Sequence, residues 1–205
     1  MADLNKILTN LKVSRKNEFL PILEKELKKF SDEDIARFLS NVLVESSKFS
    51  SLRENLNYST PERLVQIYPS AFAKPPRGLG YNPYNYIKNP QKLANLIYNS
   101  NLIPSKKSLG NFTENSGWLY RGGGLMQTTG YNNYLKLSQL TKIDFIKDPD
   151  LISIPEYAVK SAVIFYNSNK LSQKKTLKEV RIAINGSELG YTEVLKVYNQ
   201  IKSML

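Results

Sequence analysis

Two glutamates, Glu45 and Glu54, lie nine positions apart within the segment 41–59. Two carboxyl groups can divide the work of hydrolysis, because one donates a proton to the leaving oxygen while the other takes a proton from the attacking water. Glycosidic bonds are broken in this way. The sequence therefore offers Glu45 as a candidate general acid and Glu54 as a candidate general base.

The residues before Glu45 predict the helix that carries it. Ser31 and Asp34 form a capping box, so a helix should begin near Asp32. The apolar residues that follow recur three and four positions apart, as on one side of a helix: Ile35, Phe38, Leu39, Val42 and Leu43. Glu45 falls at the edge of that side, where partial desolvation disfavours a charged carboxylate and suits a proton donor. The plainer alternative is a surface glutamate without a role.

The residues after Glu54 are suited to binding a sugar. Segment 54–59 reads ENLNYS and combines the acid with two amides, a phenol and a hydroxyl. Such groups hydrogen-bond sugar hydroxyls, and a carboxylate among them can hold a water. We therefore include Tyr58 among the candidate substrate-binding residues. The plainer alternative for Glu54 is a surface ion pair with Arg53, which would contribute less than about 1 kcal/mol.

Three blocks of sequence resemble the motifs of one known family. The first reads VESSKF at 44–49 and is followed by ENLNYS, the second reads WLYRGGGLMQTTGYNNY at 118–134, and the third reads ING at 184–186. In this order they resemble glycoside hydrolase family 19, in the branch that contains bacteriophage endolysins beside the plant-type chitinases. The resemblance spans most of the chain.

The resemblance implies a role for each matching residue. Glu45 would be the general acid, and Glu54 would be the base that activates water. Four residues would bind the sugar or position that water, and a tyrosine would help to form the cleft: Gln127, Thr129, Asn133 and Asn185, with Tyr134. The two acids would act as in inverting glycosidases, whose carboxyl groups stand about 6.5–9.5 Å apart.

Three positions depart from the family's pattern. Val44 stands where the family usually has a histidine, Gly123 where its motif has a second arginine, and Ser187 where it has a second glycine. Both acids remain in place. The departures nevertheless put in question any charge pairing that normally tunes Glu45 or orders the base.

The composition favours a single domain and chemistry based on carboxylates. The chain has 205 residues, of which 41% are hydrophobic, enough for one well-buried core and too few for two comfortable domains. We expect one catalytic domain over 1–205, with N-terminal helices within 1–30 packed onto it and no separate wall-binding module. The chain has no Cys and no His, which excludes thiol nucleophiles, disulfides and the usual zinc sites. Proton transfer needs neither a metal nor an organic cofactor, so we expect none.

Further signals complete the expected fold. Pro61 and Pro90 are suited to the first turns of helices, and Thr176 with Glu179 forms a second capping box. The glycines at 122–124 predict a tight turn between two short strands. We therefore predict an α+β, mainly α-helical, lysozyme-like single domain with a small β-hairpin beside the active-site cleft.

The net charge of +11 points to an anionic partner. Bacterial peptidoglycan, or the anionic envelope surface beside it, fits this charge better than chitin, which is neutral. Nucleic acid is the competing partner, but the lysines are dispersed and no nucleic-acid-binding motif is present, so we expect no such binding. Solubility alone explains the charge equally well.

The N-terminus shows no basic segment followed by an apolar run, and no stretch approaches the roughly 20 apolar residues of a membrane span. We expect a monomer made in the host cytoplasm without a signal peptide. The resemblance implies release to the periplasmic cell wall through a holin-type pore. The expected function is that of a peptidoglycan-degrading endolysin, a lysozyme-type hydrolase that cleaves β-1,4 bonds between N-acetylated amino sugars for host-cell lysis. The alternatives are a chitinase of the same family and a non-catalytic cell-wall-binding protein.

Overall fold

The computed structural model describes residues 2–205, which are mainly α-helical, as the sequence predicts. These residues form eleven α-helices: α1 (Leu4–Asn10), α2 (Lys16–Glu26), α3 (Asp32–Glu45), α4 (Pro61–Ile67), α5 (Pro69–Phe72), α6 (Pro90–Ile97), α7 (Ser116–Leu119), α8 (Tyr131–Thr141), α9 (Pro155–Ser168), α10 (Leu177–Asn185) and α11 (Tyr191–Lys202). Short 3-10 helices occupy Pro83–Asn85, Pro104–Leu109, Pro149–Ser153 and Leu171–Gln173. No helix in this part of the chain combines the length and the apolar character needed to cross a membrane.

Helix α3 carries Glu45, as the hydrophobic pattern predicts, and Glu45 is its last residue. Its start is fixed by Ser31, whose hydroxyl oxygen accepts from the backbone N–H of Asp34 at 3.1 Å. The Ser31 hydroxyl in turn donates to the Asp34 carboxylate at 2.7 Å. The apolar side of the helix is enclosed, with Phe38 and Leu39 fully buried, and α11 packs along it. Glu45 is therefore attached to one of the most firmly packed helices of the molecule.

The largest hydrophobic cluster joins the N-terminal helices to α3 and α9. Leu8 of α1, Phe19 and Leu23 of α2 and Phe38 of α3 are all fully buried in it. Burial of one such side chain stabilises the fold by about 1.5–3 kcal/mol. The helices within residues 2–30 therefore share a core with α3. Met1 lies outside the described residues, and the division of the chain into domains stays a prediction.

A left-handed turn separates the two glutamates. Residues 47–49 have φ values of 49°, 57° and 67°, a region that costs a residue other than glycine about 1 kcal/mol. The Lys48 N–H donates to the Leu43 carbonyl at 2.7 Å, which holds the turn against the end of α3. The Phe49 ring is fully buried and stacks on Phe19 with 4.3 Å between ring centroids. These contacts fix the path of the chain between the candidate acid and the candidate base.

The prediction of a small β-hairpin around the glycines at 122–124 is wrong. Within residues 2–205, this segment forms only isolated β-bridges. Thr128 and Gly123 exchange two backbone hydrogen bonds, at 2.8 and 3.1 Å, and the pairing extends no further. Gly124 and Gln127 lie between them with φ values of 72° and 48°. The neighbouring Gly122 does not continue the pairing, because its carbonyl accepts from the Glu54 N–H at 2.9 Å and so pairs with a different segment. The glycines therefore form a tight turn without strands.

Candidate active site

The Glu45 carboxylate is held by one cation and keeps one oxygen free. Its Oε1 accepts a hydrogen bond from the guanidinium of Arg181, on α10, and the two side chains are 17% and 5% exposed. Oε2 accepts no hydrogen bond from any residue between 2 and 205, and it is not buried. The sequence predicted apolar surroundings for Glu45, whereas the structure adds a buried guanidinium. Oε2 is the oxygen that can reach a ligand.

Arg181 also connects Glu45 to the third block of the resemblance. Its Nε donates to the Leu189 carbonyl at 2.8 Å. The side-chain amide of Asn185 donates to the same carbonyl and to Ser187 Oγ, each at 3.2 Å. The structure therefore places Asn185 in one hydrogen-bond network with the candidate acid. Ser187, at the position of the family's second glycine, stabilises the loop within that network.

The Glu54 carboxylate faces hydrogen-bond donors. The Tyr98 hydroxyl lies 2.7 Å from Oε1 and 2.8 Å from Oε2, and the Gly122 N–H donates to Oε2 at 3.2 Å. Burial, and then the charge of Glu54, raise the pKa of Tyr98, so the phenol keeps its proton and stays a donor. The backbone N–H of Glu54 donates to the Gly122 carbonyl at 2.9 Å. These contacts fix the candidate base beside the glycine turn.

Arg53 pairs with Asp150 and not with Glu54. Its Nη2 and Nε lie 2.6 and 3.0 Å from Asp150 Oδ1, and its Nη1 donates to the Tyr134 hydroxyl at 2.7 Å. A Cβ added at Gly123 would lie 3.1 Å from that same Nη1. Arg53 therefore occupies the space that the side chain of an arginine at position 123 would enter. The ion pair considered for Glu54 from the sequence is not formed.

Two tyrosines of the predicted site lie in different surroundings. Tyr134 is fully buried, and its hydroxyl donates to the Arg121 carbonyl at 2.9 Å. Burial raises the pKa of Tyr134 to about 12, so the phenol remains a donor there. In the structure Tyr134 supports the loop at Arg121, and its expected part in forming the cleft and binding substrate stays a prediction. Tyr58 is half-buried, with its hydroxyl 3.1 Å from that of Tyr68, and its role stays a prediction.

Gln127, Thr129 and Asn133 line one cavity of about 250 Å³. Neither candidate acid lines this cavity. Gln127 nevertheless connects it to Glu54, because Gln127 Oε1 and Glu54 Oε2 lie 2.9 and 3.2 Å from the position that a Cβ at Gly122 would take. Only glycine allows this close approach. The structure thus brings three of the predicted residues together and places one of them, Gln127, next to the candidate base.

Sequence reasoning missed Arg181, Tyr98 and Asp150. Each contacts a residue far away along the chain, at separations of 136, 44 and 97 positions, so no local pattern indicates the pairing. One signal exists for Arg181, which precedes Asn185 by four positions and so lies on the same side of α10. Over residues 2–205, no three acidic side chains come together as a metal site would require.

Two fixed carboxylates on a mainly helical fold, one of them next to a cavity lined in part by amide side chains, are what an acid/base glycoside hydrolase requires. The chain is 33% identical over 168 residues to a glycosyl hydrolase family 19 domain-containing protein of Haemophilus influenzae, a match that covers 81% of this chain and 77% of that protein. No protein-family model matches the chain. From this relative, the chain belongs to glycosyl hydrolase family 19, and it is a glycoside hydrolase.

The fold is similar to that of solved chitinases. Chitinase C from Streptomyces griseus matches with a TM-score of 0.52 at 17% identity, covering 97% of this chain and 82% of that one. A mutant of chitinase C matches with a TM-score of 0.55 at 17% identity, covering 98% of this chain and 74% of the other. At this identity the likeness concerns the fold alone.

Proposed function

We propose that this hydrolase is a peptidoglycan-degrading endolysin that cleaves β-1,4 bonds between N-acetylated amino sugars. One observation carries the proposal. Glu45 and Glu54 are each fixed by donors from distant parts of the chain, while Glu45 Oε2 has no donor among residues 2–205 and is not fully buried. A protein that only bound glycan would need neither acid to be held in this way.

In the proposed reaction, Glu45 gives its proton through Oε2 to the leaving glycosidic oxygen. Glu54 takes a proton from a water, which attacks the anomeric carbon from the opposite face of the sugar. Tyr98 and the Gly122 N–H keep the Glu54 carboxylate in place during this step. Gln127 and the neighbouring amide and hydroxyl side chains bind the sugar. The products are two glycan ends, one of them a new reducing end with inverted configuration.

The net charge of +11 supports peptidoglycan as the substrate, because its peptide stems carry carboxylates and chitin is neutral. We further propose that the enzyme acts as a monomer, is made in the cytoplasm of a phage-infected host and reaches the periplasmic wall through a holin-type pore. A chitinase is the second candidate, and the fold likeness to chitinase C favours it.

The test is digestion of Gram-negative peptidoglycan and of colloidal chitin in parallel, with products resolved by mass and by new reducing ends. The variants are Glu45→Gln and Glu54→Gln, and the matched control is Glu24→Gln, an exposed glutamate of α2. We expect disaccharide-peptides from peptidoglycan. Loss of general acid or base should lower kcat by at least about a hundredfold, and the control should leave it unchanged.

Other outcomes would lead to different conclusions. Release from chitin alone would make the protein a chitinase. Equal activity of Glu45→Gln and the wild type would refute Glu45 as the acid. No new reducing ends from either substrate would refute the endolysin and the chitinase alike.

A further inference from the structure

Arg53 pairs through its backbone with the glycine turn, and its side chain lies on the opposite face from that of Glu54. Arg53 and Gly123 form an antiparallel bridge, and the Glu54 N–H donates to the Gly122 carbonyl at 2.9 Å. Successive side chains of an extended segment point to opposite faces. The guanidinium and the candidate base therefore approach residues 121–123 from two sides.

The peptide bond between Arg121 and Gly122 lies between these two side chains. Its carbonyl, that of Arg121, accepts from Arg53 Nη1 at 3.0 Å and from the Tyr134 hydroxyl at 2.9 Å. Its N–H, that of Gly122, donates to Glu54 Oε2 at 3.2 Å. A trans peptide is planar, so its C=O and N–H point in opposite directions. Fixing the carbonyl therefore fixes the direction of the N–H.

A cation at the carbonyl also strengthens the donor at the other side of the peptide. Hydrogen bonds along a chain polarise one another, and a charged donor forms a stronger bond than a neutral one. The Arg53 side chain is 16% exposed, so water screens its charge only in part. The Gly122 N–H is therefore a better donor to Glu54 than it would be without Arg53.

Asp150 holds the guanidinium in this place. Its Oδ1 lies 2.6 Å from Nη2 and 3.0 Å from Nε of Arg53. Nη2 also donates to the Leu119 carbonyl at 3.2 Å, so each of the three guanidinium nitrogens has an acceptor. A planar guanidinium that is bound at three nitrogens cannot turn without breaking several hydrogen bonds. The Asp150 carboxylate thus sets the position of Arg53.

We propose that Arg53, held by Asp150, is a positioning residue that aims the Gly122 N–H at the Glu54 carboxylate. Gly123 leaves room for this guanidinium, because a Cβ at that position would lie 3.1 Å from Nη1. The inference rests on the proposed role of Glu54 as the base, and it adds the residues that keep the base in place.

The test measures kcat and KM of Arg53→Met on whichever polymer the wild type cleaves, peptidoglycan or chitin. We expect kcat to fall about tenfold, the effect of weakening one hydrogen bond to a charged group. KM should stay within about twofold, because neither Arg53 nor Asp150 lines the cavity that holds the candidate sugar-binding residues. Asp150→Asn keeps Arg53 in the chain and should lower kcat about threefold, so it tests the same contact if Arg53→Met does not fold.

The matched control is Arg37→Met. Arg37 also binds a carboxylate and two backbone carbonyls, and its partners lie outside the glycine turn. Its side chain is about as buried as that of Arg53. Arg37→Met should therefore lose a similar amount of stability and keep the wild-type kcat.

A second measurement does not depend on catalysis. The NMR resonance of an amide proton moves upfield when its hydrogen bond weakens. The Gly122 amide proton should therefore move upfield in Arg53→Met and in Asp150→Asn, and it should stay in place in Arg37→Met. An arginine that only stabilised the fold would lower Tm without moving this resonance upfield.

The outcomes separate this inference from the proposed function. If Glu54→Gln loses activity while Arg53→Met keeps either the wild-type kcat or the wild-type Gly122 resonance, the positioning role is overturned and the base remains. An equal loss of kcat for Arg37→Met, or a change in KM alone for Arg53→Met, would overturn the positioning role as well. Wild-type activity of Glu54→Gln would refute the base itself.

Discussion

Replacing Arg181 with methionine would remove the cation from Glu45 and keep a side chain of similar length. Breaking a buried ion pair typically costs about 3–5 kcal/mol, because the remaining charge is left without a partner. The Glu45 side chain is 17% exposed, which places the expected loss near the lower end, about 3 kcal/mol. For a domain of this size, that loss should lower Tm by about 6–12 °C.

The assay is urea unfolding at pH 7 of the wild type, Arg181→Met, Glu45→Gln and the double variant. The double variant has no charge left to bury, so the coupling between the two positions should be about 2 kcal/mol. Arg63→Met is the matched control, since Arg63 is exposed and its guanidinium donates to the nearby Gln66, and it should stay within about 0.5 kcal/mol of the wild type. A loss for Arg181→Met as small as that of the control, or zero coupling, would refute the reasoning.

Three further changes test other contacts. Tyr98→Phe removes the hydroxyl donor to Glu54 and should lower kcat about tenfold or more with little change in KM, and an unchanged kcat would contradict the positioning role. Gly123→Ala would bring a Cβ within 2.7 Å of a buried tyrosine oxygen and should lower the free energy of unfolding by about 1–3 kcal/mol. An unaltered Tm in a thermal melt would show that the loop can shift to make room for the Cβ. At Glu33, burial raises the pKa, but hydrogen bonds from a tyrosine, an arginine and a lysine outweigh it and hold the pKa below 4.5. The Glu33 carboxylate should stabilise the fold fully above that value and lose this effect as the pH falls through its lowered pKa. The free energy of unfolding of Glu33→Gln, measured against pH, should therefore lack this decrease.

The helices and their ends could be predicted because their signals are local. Ser31 caps α3, Thr176 and Glu179 form the capping box of α10, and Pro61 and Pro90 lie in the first turns of α4 and α6, all as the sequence indicates. Each of these features depends on residues within one or two turns of one another. The apolar periodicity of residues 35–43 likewise predicts that Glu45 lies on α3.

The partners of the candidate acids could not be predicted, because they depend on tertiary packing. Arg181 reaches Glu45 across 136 positions, and Tyr98 reaches Glu54 across 44. The hairpin failed for a related reason, since a run of glycines predicts a turn but not whether the flanking residues pair as strands. Gly123, where the family's motif has an arginine, lies against Arg53, a contact between distant parts of the chain that no local pattern indicates.

The stacking of Phe49 on Phe19 has a consequence for shortening or fusing this chain. Phe49 belongs to the left-handed turn between the two glutamates, and Phe19 belongs to α2, which comes well before either of them. Deleting the first 30 residues would expose the underside of that turn and remove the ring that holds it. Any shortened version of this protein should therefore keep α2, because Phe19 supports the turn through which the chain passes from one carboxylate to the other.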